Sequence, residues 1–375
     1  MRVAVVCPYA LSAPGGVQGQ VTSLASTLAG LGCEVAVAAP DAVGREGEDG
    51  AHAPLSLRGV TVISSGRPVA VPANGSRAPV ALSPLAARRA LRELRDWGPD
   101  VLHVHEPLVP AISLASVRSG LAPVVGTFHR AGAGAFYRMA RPLARACVAS
   151  IDELVAVSDA ARETLVSVAG PRAARCAVVP NGVDTTRFAG ADPWPASGPT
   201  VVFVGRVERR KGLGVLLEAF TQLAGDVRLW VVGDGPDLPA LRAGHRGDVR
   251  IEWCGRLGDD LLARRVAGAD VLVAPSLGGE SFGVVLLEAM AARTAVVASD
   301  LAGYRLAAGD AAAYSPPGDA LALARELGEL LGGDAARHTL VERGRLRVER
   351  YAIAAVARSY LDRYERLVGG RAGTT

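Results

Sequence analysis

Short apolar runs and helical stretches alternate along nearly the whole chain. The runs Arg2–Pro8, Glu34–Ala39, Asp100–His105, Pro123–Phe128 and Glu153–Val157 each have the length of a strand, and helical stretches separate most of them. VAVV, and further on VVFV, are apolar without a break, as strands covered on both faces must be. Such strands joined through helices predict parallel sheets with helices on either side.

The alternation pauses after Val179. The stretch PNGVDTTRFAGADPWPASGP is rich in Pro, Gly and Asp and is expected to connect two domains. The pattern resumes with Thr200–Gly205, Val227–Val232, Arg250–Cys254, Asp270–Ala274 and Ala295–Ala298. The fold class expected is α/β, with two doubly wound, Rossmann-like domains facing a central cleft. Their expected bounds are residues 1–179 and 180–351, and the last helical stretch, 352–375, either crosses back to the first domain or packs on the second. Gly369–Thr375 is expected to be a frayed tail and Gly44–Pro54 a small polar loop. No internal repeat is visible.

Composition narrows the function classes. A chain of 375 residues exceeds one ordinary core, and 50% hydrophobic with 21% charged residues excludes a disordered chain. A net charge of +4 with 5% aromatics gives no base-stacking surface, so no nucleic acid partner is expected. Cys7, Cys33, Cys147, Cys176 and Cys254 are scattered without a C-x-x-C pair, which favours a reduced, cytoplasmic protein. The opening MRVAVVCPYA is too short and lacks the cleavage site of an export signal. No apolar run approaches the roughly 20 residues that span a bilayer, so any membrane contact is expected to be peripheral.

The basic residues carry a sharper signal. Of 41 lysines and arginines only Lys211 is a lysine. A lysine kept against such a bias is expected where a compact ammonium is needed rather than a planar fork.

Candidate chemistry gathers at strand ends, where parallel sheets bind ligands. The densest stretch is Pro275–Ala292, PSLGGESFGVVLLEAMAA, in which strand, glycines, acid, helix and a second acid follow one another. Unpaired N–H groups at such a helix start attract phosphate. Glu280 would repel a phosphate and suits sugar hydroxyls, while Glu288 is placed to reach a ribose. Arg206, ending VVFVGR, and Lys211 supply two cations for a diphosphate leaving group; the alternative is a solvated Glu208-Arg209-Arg210 loop. Gly15-Gly16 lets the backbone approach a ligand closely. His129, ending PVVGTFH, is placed to hold a sugar hydroxyl near the reacting carbon. No D-x-D pair is present, so no metal and no other cofactor is expected.

Three further features each admit two readings. His103 and His105 in VLHVHEP are expected on opposite faces of their strand and, with Glu106, to serve packing rather than a metal. Gly233-Asp-Gly235-Pro-Asp-Leu238 starts like a dinucleotide loop, but Leu238 replaces the third glycine, against a nicotinamide site. The helix Pro84–Trp97 carries Arg88, Arg89, Arg92 and Arg95, with Leu85, Leu91 and Leu94 as its expected apolar side. That basic face either meets anionic lipid headgroups or is simply solvated.

PGGVQ, HVHEP, TFH, VPNGVD, FVGR with a following Lys-Gly, and GGESFGVVLLEAMA occur in order along the chain. Together they resemble the family-4 retaining glycosyltransferases of GT-B fold. The resemblance implies donor contacts from Gly16, Arg206, Lys211, Asp259, Phe282, Gly283 and Glu288. Gly16, Arg206 and Lys211 would meet the diphosphate, Asp259 the guanine and Glu288 the ribose. Glu280 and His129 would act at the sugar, and Tyr9 and Gln18 would face the acceptor. Arg88, Arg89 and Arg92 would touch the membrane. The activity implied is transfer of a sugar with its configuration retained, mannose from GDP-mannose to a phosphatidylinositol-type lipid, at the inner face of the plasma membrane. The resemblance also implies that the leaving phosphate would help deprotonate the acceptor. Departures fall on the acceptor side: Arg130-Ala-Gly-Ala-Gly follows TFH where the family has Thr and a polar loop, and Ala73 stands where an aromatic precedes NGS. The rival readings are a UDP-sugar donor with a soluble or polysaccharide acceptor, an NAD-dependent dehydrogenase, and a non-catalytic sugar-binding protein.

Overall fold

The computed structural model describes residues 1–13, 15–41, 57, 59–73, 76–132 and 141–372. The Gly44–Pro54 loop, Pro14, Asn74-Gly75 and the Ala-Gly pair 133–134 lie outside the described residues. The chain divides into two compact units, Met1–Gly182 joined by the segment from Ile353 onward, and Val183–Ala352.

The first unit holds seven parallel strands: β1 Arg2–Val6, β2 Glu34–Ala39, β3 Val60–Ser64, β6 Val101–His105, β7 Val124–Phe128, β8 Glu153–Ala156 and β9 Ala177–Val178. Their order is β3-β2-β1-β6-β7-β8-β9. A separate antiparallel pair, β4 Val69–Ala73 with β5 Ser76–Val80, was not anticipated from the apolar pattern. The second unit holds six parallel strands: β10 Thr200–Val204, β11 Arg228–Val232, β12 Ile251–Gly255, β13 Val271–Ala274, β14 Ala295–Ser299 and β15 Ala313–Ser315. Their order is β12-β11-β10-β13-β14-β15. In both sheets the order reverses beside the first strand of the unit, β1 or β10, which makes each a doubly wound Rossmann-like sheet.

The inner strands are buried on both faces, as their unbroken apolar runs require. One face of the first sheet presents Val3, Val5, Val101, Val125 and Val155. Two helices cover it: Gly16–Gly30 through Val21, Leu24 and Leu28, and Ile353–Ala372 through Val356, Ala357, Tyr360 and Tyr364. The last helix therefore completes the core of the first unit although the whole second unit precedes it in sequence. Gly369–Ala372 continue that helix, so the fray expected from Gly369 does not begin there. Gly182 is held where the chain leaves the first unit: a Cβ on it would lie 2.6 Å from Ile353 Cδ1.

Candidate functional site

In the second unit, β13 runs into the loop that carries Glu280. Its glycines are required by backbone shape. Gly279 and Gly283 have φ of +72° and +92°, and a Cβ on Gly283 would stand 2.5 Å from the Tyr304 ring. Gly283 then caps the helix Val284–Ala291. A second turn, Arg209–Lys211, is pressed against the end of β13. Leu277 N–H donates to Arg210 O at 2.8 Å, and a Cβ on Gly212, at φ +72°, would overlap Pro275 O at 1.9 Å.

That close approach builds a charged cluster. Glu280 Oε1 accepts from Arg210 Nη1 at 2.6 Å, Lys211 Nζ at 2.7 Å and Ser276 Oγ at 3.2 Å. Arg210 also donates to the buried Glu208 at 2.8 Å, whose other oxygen lies 3.7 Å from Arg206 Nε. Burial alone would raise the Glu280 pKa; the Lys211 charge and hydrogen bond, then Arg210, outweigh it and hold the carboxyl below its ordinary value. Ser276 is anchored from below by Tyr304, its Oγ 2.7 Å from the phenolic oxygen. Three cations thus converge on two carboxylates, and Glu208 is interior, so the turn is not a solvated basic loop. Arg210 escaped the sequence reading. Its only signal is adjacency to the single lysine, and charged residues in a turn have no period to place them.

A second acidic group lies in the same unit. Asp259 opens the helix Asp259–Ala267 and accepts from Arg187 at 3.0 Å. Arg187 also pairs with Asp184, the cap of Thr185–Ala189. Burial and then the neighbouring Asp259 charge raise the pKa of the partly buried Glu288 to about 7, with Arg187 opposing. Arg187 falls in the stretch read as a connection, which hid it. Phe282 is not available as a side-chain ligand: it is buried in the core, edge-on to Tyr351 with ring centres 5.5 Å apart, leaving only its backbone at the loop.

In the first unit, a Cβ on Gly15 would collide with Gln18 Oε1 at 2.3 Å, whereas one on Gly16 would meet none of the described residues within 4 Å. Close ligand approach to the Gly16 backbone is thus not blocked by any described residue. Gln18 is buried and its amide donates to Ala10 O at 3.5 Å; Tyr9 bridges to Val80.

His129 is buried just beyond β7, its N–H donating to Glu106 Oε1 at 2.9 Å and its Nε2 lying 2.8 Å from His105 Nδ1. Burial lowers its pKa to about 3, with a smaller opposing push from Asn181. The expectation for His103 and His105 is corrected here. Positions two apart on a strand return to the same face, and the rings stack at 4.3 Å. His103 reaches Thr127 Oγ1 at 2.7 Å and Tyr364 OH at 2.6 Å. The pair does serve packing and hydrogen bonding, but as one connected set.

The helix Pro84–Trp97 also differs from expectation. Ala87, Ala90 and Leu94 face the core, while Leu85 is 74% exposed. Leu85 shares the outer face with Arg88, Arg89 and Arg92 by i, i+3, i+4, i+7 spacing, all of them exposed. Arg89 pairs with Glu93 at 3.0 Å.

Residues 14–187 match the family described as Glycosyltransferase Family 4, and residues 198–332 that described as Glycosyl transferases group 1. A phosphatidyl-myo-inositol mannosyltransferase of Mycolicibacterium smegmatis is 39% identical, over 98% of this chain and 95% of that protein. The chain belongs to glycosyltransferase family 4. It is therefore a glycosyltransferase, and the likeness to mannosyltransferases repeats with the Mycobacterium leprae protein of the same name, 38% identical over 97% of this chain and 96% of that protein. Among solved structures, sucrose-phosphate synthase from Thermosynechococcus elongatus matches with a TM-score of 0.77 at 22% identity, covering 98% of this chain and 99% of that one. Anabaena HepE in complex with UDP and glucose matches with a TM-score of 0.74 at 16% identity, covering 98% and 100%. These likenesses show the fold of this family-4 glycosyltransferase, GT-B, with its two Rossmann-like domains.

Proposed function

We propose that this glycosyltransferase moves mannose from GDP-mannose to a phosphatidylinositol-type lipid, retaining the sugar's configuration. The observation that carries the donor side is the convergence of Lys211 and Arg210 on Glu280. A diphosphate offers Lys211, Arg206 and Arg210 a better anion than one shared carboxylate. As they turn to it, Glu280 is released to accept from the mannose hydroxyls. Glu288 takes the ribose and Asp259 lies by the guanine. Backbone N–H groups at the Gly283 turn and the start of Val284–Ala291 add fixed positive dipoles.

Charge on the departing GDP is thereby met by side chains, and turnover needs no metal. The acceptor hydroxyl passes its proton to the leaving phosphate on the same face as it attacks the anomeric carbon. That sequence forms the new C–O bond, breaks the bond to phosphate, and leaves GDP carrying the proton. Tyr9 and Gln18 of the first unit recognise the inositol, and His129 acts at the sugar near the reacting carbon. The outer face of Pro84–Trp97, with Leu85 beside three arginines, rests on anionic headgroups. Full-length relatives named for mannosylation of phosphatidyl-myo-inositol support the choice of sugar and acceptor.

The test is transfer of labelled mannose from GDP-mannose to phosphatidylinositol vesicles, with UDP-glucose and soluble sugars as controls. Labelled lipid from GDP-mannose alone is expected. Transfer only to a soluble acceptor, or only from a UDP-sugar, overturns the assignment.

A further inference from the structure

Glu280 is gripped by donors of two kinds. Lys211 Nζ and Arg210 Nη1 reach its Oε1 at 2.7 and 2.6 Å, and both are charged side chains on a turn partly open to solvent. Ser276 Oγ reaches the same oxygen at 3.2 Å, but Ser276 is neutral and buried. Behind Ser276 lies Tyr304, also buried, its phenolic oxygen 2.7 Å from Ser276 Oγ.

The direction of this chain follows from counting protons. Oε1 already accepts from two cations and carries no proton, so Ser276 donates to it. A serine hydroxyl has a single proton, and Glu280 takes it. The proton between Ser276 and Tyr304 therefore belongs to Tyr304, whose hydroxyl donates to Ser276 Oγ. The reverse arrangement would leave the buried Tyr304 proton with no acceptor among the described residues, and would also take a donor from the carboxylate. In the forward arrangement each hydroxyl polarises the next and strengthens the last bond, the one to Glu280.

The backbone of Glu280 is held by the neighbouring residue of the same helix. Tyr304 belongs to Ala302–Ala308, and a Cβ on Gly303 would lie 2.2 Å from Glu280 O and 2.9 Å from Ser281 C. Having no side chain, Gly303 lets the helix press directly on the loop, while the Tyr304 ring packs against Gly283. The helix is fixed in turn. Arg347 Nη2 donates to Leu306 O at 2.7 Å, and Ala307 and Ala308 lie in the core.

We propose that Tyr304 is a positioning residue for the transfer: through Ser276 it keeps the Glu280 carboxylate in place after Lys211 and Arg210 have turned to the diphosphate.

The two cations hold Glu280 only until a stronger anion arrives. A buried pair of hydroxyls cannot follow the ligand, so the carboxylate that meets the sugar is the one fixed by Ser276 and Tyr304. The effect on transfer rests on Glu280 acting at the sugar; the hydroxyl chain does not.

The experiment compares Tyr304→Phe, Ser276→Ala and Glu280→Ala, singly and combined, in the full chain. Tyr304→Phe keeps the ring against Gly283 and removes only the hydroxyl. It should lower kcat roughly tenfold and leave GDP affinity within about twofold of wild type. Ser276→Ala, which removes the link, should do the same. Added to Glu280→Ala, Tyr304→Phe should have no further effect, because it acts through that carboxylate. Full transfer by Tyr304→Phe or by Ser276→Ala overturns the proposal. So does a loss of GDP affinity that matches the loss of kcat, or an equal loss of transfer in the wild-type and Glu280→Ala backgrounds. A second measurement needs no transfer: titration of Glu280 by ¹³C-carboxyl NMR, its signal identified by its loss in Glu280→Gln. Weakening a donor disfavours the charged form, so Glu280 should titrate at higher pH in Tyr304→Phe and in Ser276→Ala than in wild type. An unchanged titration in folded Tyr304→Phe overturns the hydroxyl chain. Glu280→Ala retaining full transfer would instead remove the sugar role of Glu280 while leaving the titration result standing.

Discussion

Lys211 Nζ lies 2.7 Å from Glu280 Oε1, the same oxygen that Arg210 Nη1 reaches at 2.6 Å. The ammonium and the acid, expected from the sequence at different parts of a ligand, hold each other. On the proposed function, donor binding is an exchange of anions on Lys211, and the two residues should respond oppositely to mutation. Glu280→Gln removes the competing charge, so GDP affinity should stay unchanged or tighten by up to about tenfold while transfer falls by about a hundredfold. Lys211→Ala should weaken GDP binding by about tenfold or more. Calorimetry with GDP, beside a transfer assay, checks both; weaker GDP binding in Glu280→Gln would contradict the exchange.

Glu288 sets a pH dependence whose sign can be worked out. Its folded pKa of about 7 stands above the ordinary 4.5, because burial and Asp259 disfavour the charge. As pH rises, the unfolded chain therefore loses this proton first. The stability contribution is complete below about 4.5 and is lost as pH climbs through 7. Glu288→Gln cannot ionise, so its melting temperature should match wild type near pH 4.5 and exceed it increasingly up to about pH 7. A constant difference across that range would mean that Glu288 ionises freely in the folded chain.

What the sequence disclosed follows from where periodicity acts. β1, β10 and β13 were legible because strands buried on both faces need unbroken apolar runs; Glu280, Lys211 and His129 stand out as candidates because they follow the carboxyl ends of such strands. The pair β4–β5 went unread although Asn74-Gly75 between its strands is a strong hairpin signal. The stack of His103 on His105 was lost by assigning positions two apart to opposite faces. Leu85 differs from expectation because Ala87, Ala90 and Leu94 already fill the inner face of its helix, and small alanines mark that face less plainly than leucines do. Arg210 and Arg187 act through tertiary ion pairs in turns, and nothing local in the sequence marks them.

The outer face of Pro84–Trp97 leads to a membrane prediction. Replacing Arg88, Arg89 and Arg92 by Gln removes up to about 3 kcal/mol of attraction to an anionic surface, at about 1 kcal/mol per arginine. Affinity for phosphatidylinositol-containing liposomes should fall by about a hundredfold, less to the extent that Arg89 is already spent on Glu93. Transfer to a detergent-dispersed acceptor should change little. Equal liposome binding by wild type and variant in a flotation assay would leave the helix merely solvated.

Side-chain neutralisation of the leaving group also has a direct assay. Transfer in the presence of excess EDTA should match transfer without it. Loss of activity with EDTA, restored by Mn²⁺ or Mg²⁺, would show that Arg206, Arg210 and Lys211 do not suffice.

Tyr360 and Tyr364 lie in the last helix, yet they seal the sheet that begins at Arg2. During synthesis the segment Val183–Ala352 leaves the ribosome complete and free to fold, while the sheet of the earlier 182 residues has only Gly16–Gly30 on this face and lacks the cover of Val356, Ala357, Tyr360 and Tyr364. The nascent first unit thus keeps apolar surface exposed until Ile353–Ala372 has been made. A stop codon placed just before Ile353 should yield not a shortened enzyme but an aggregate.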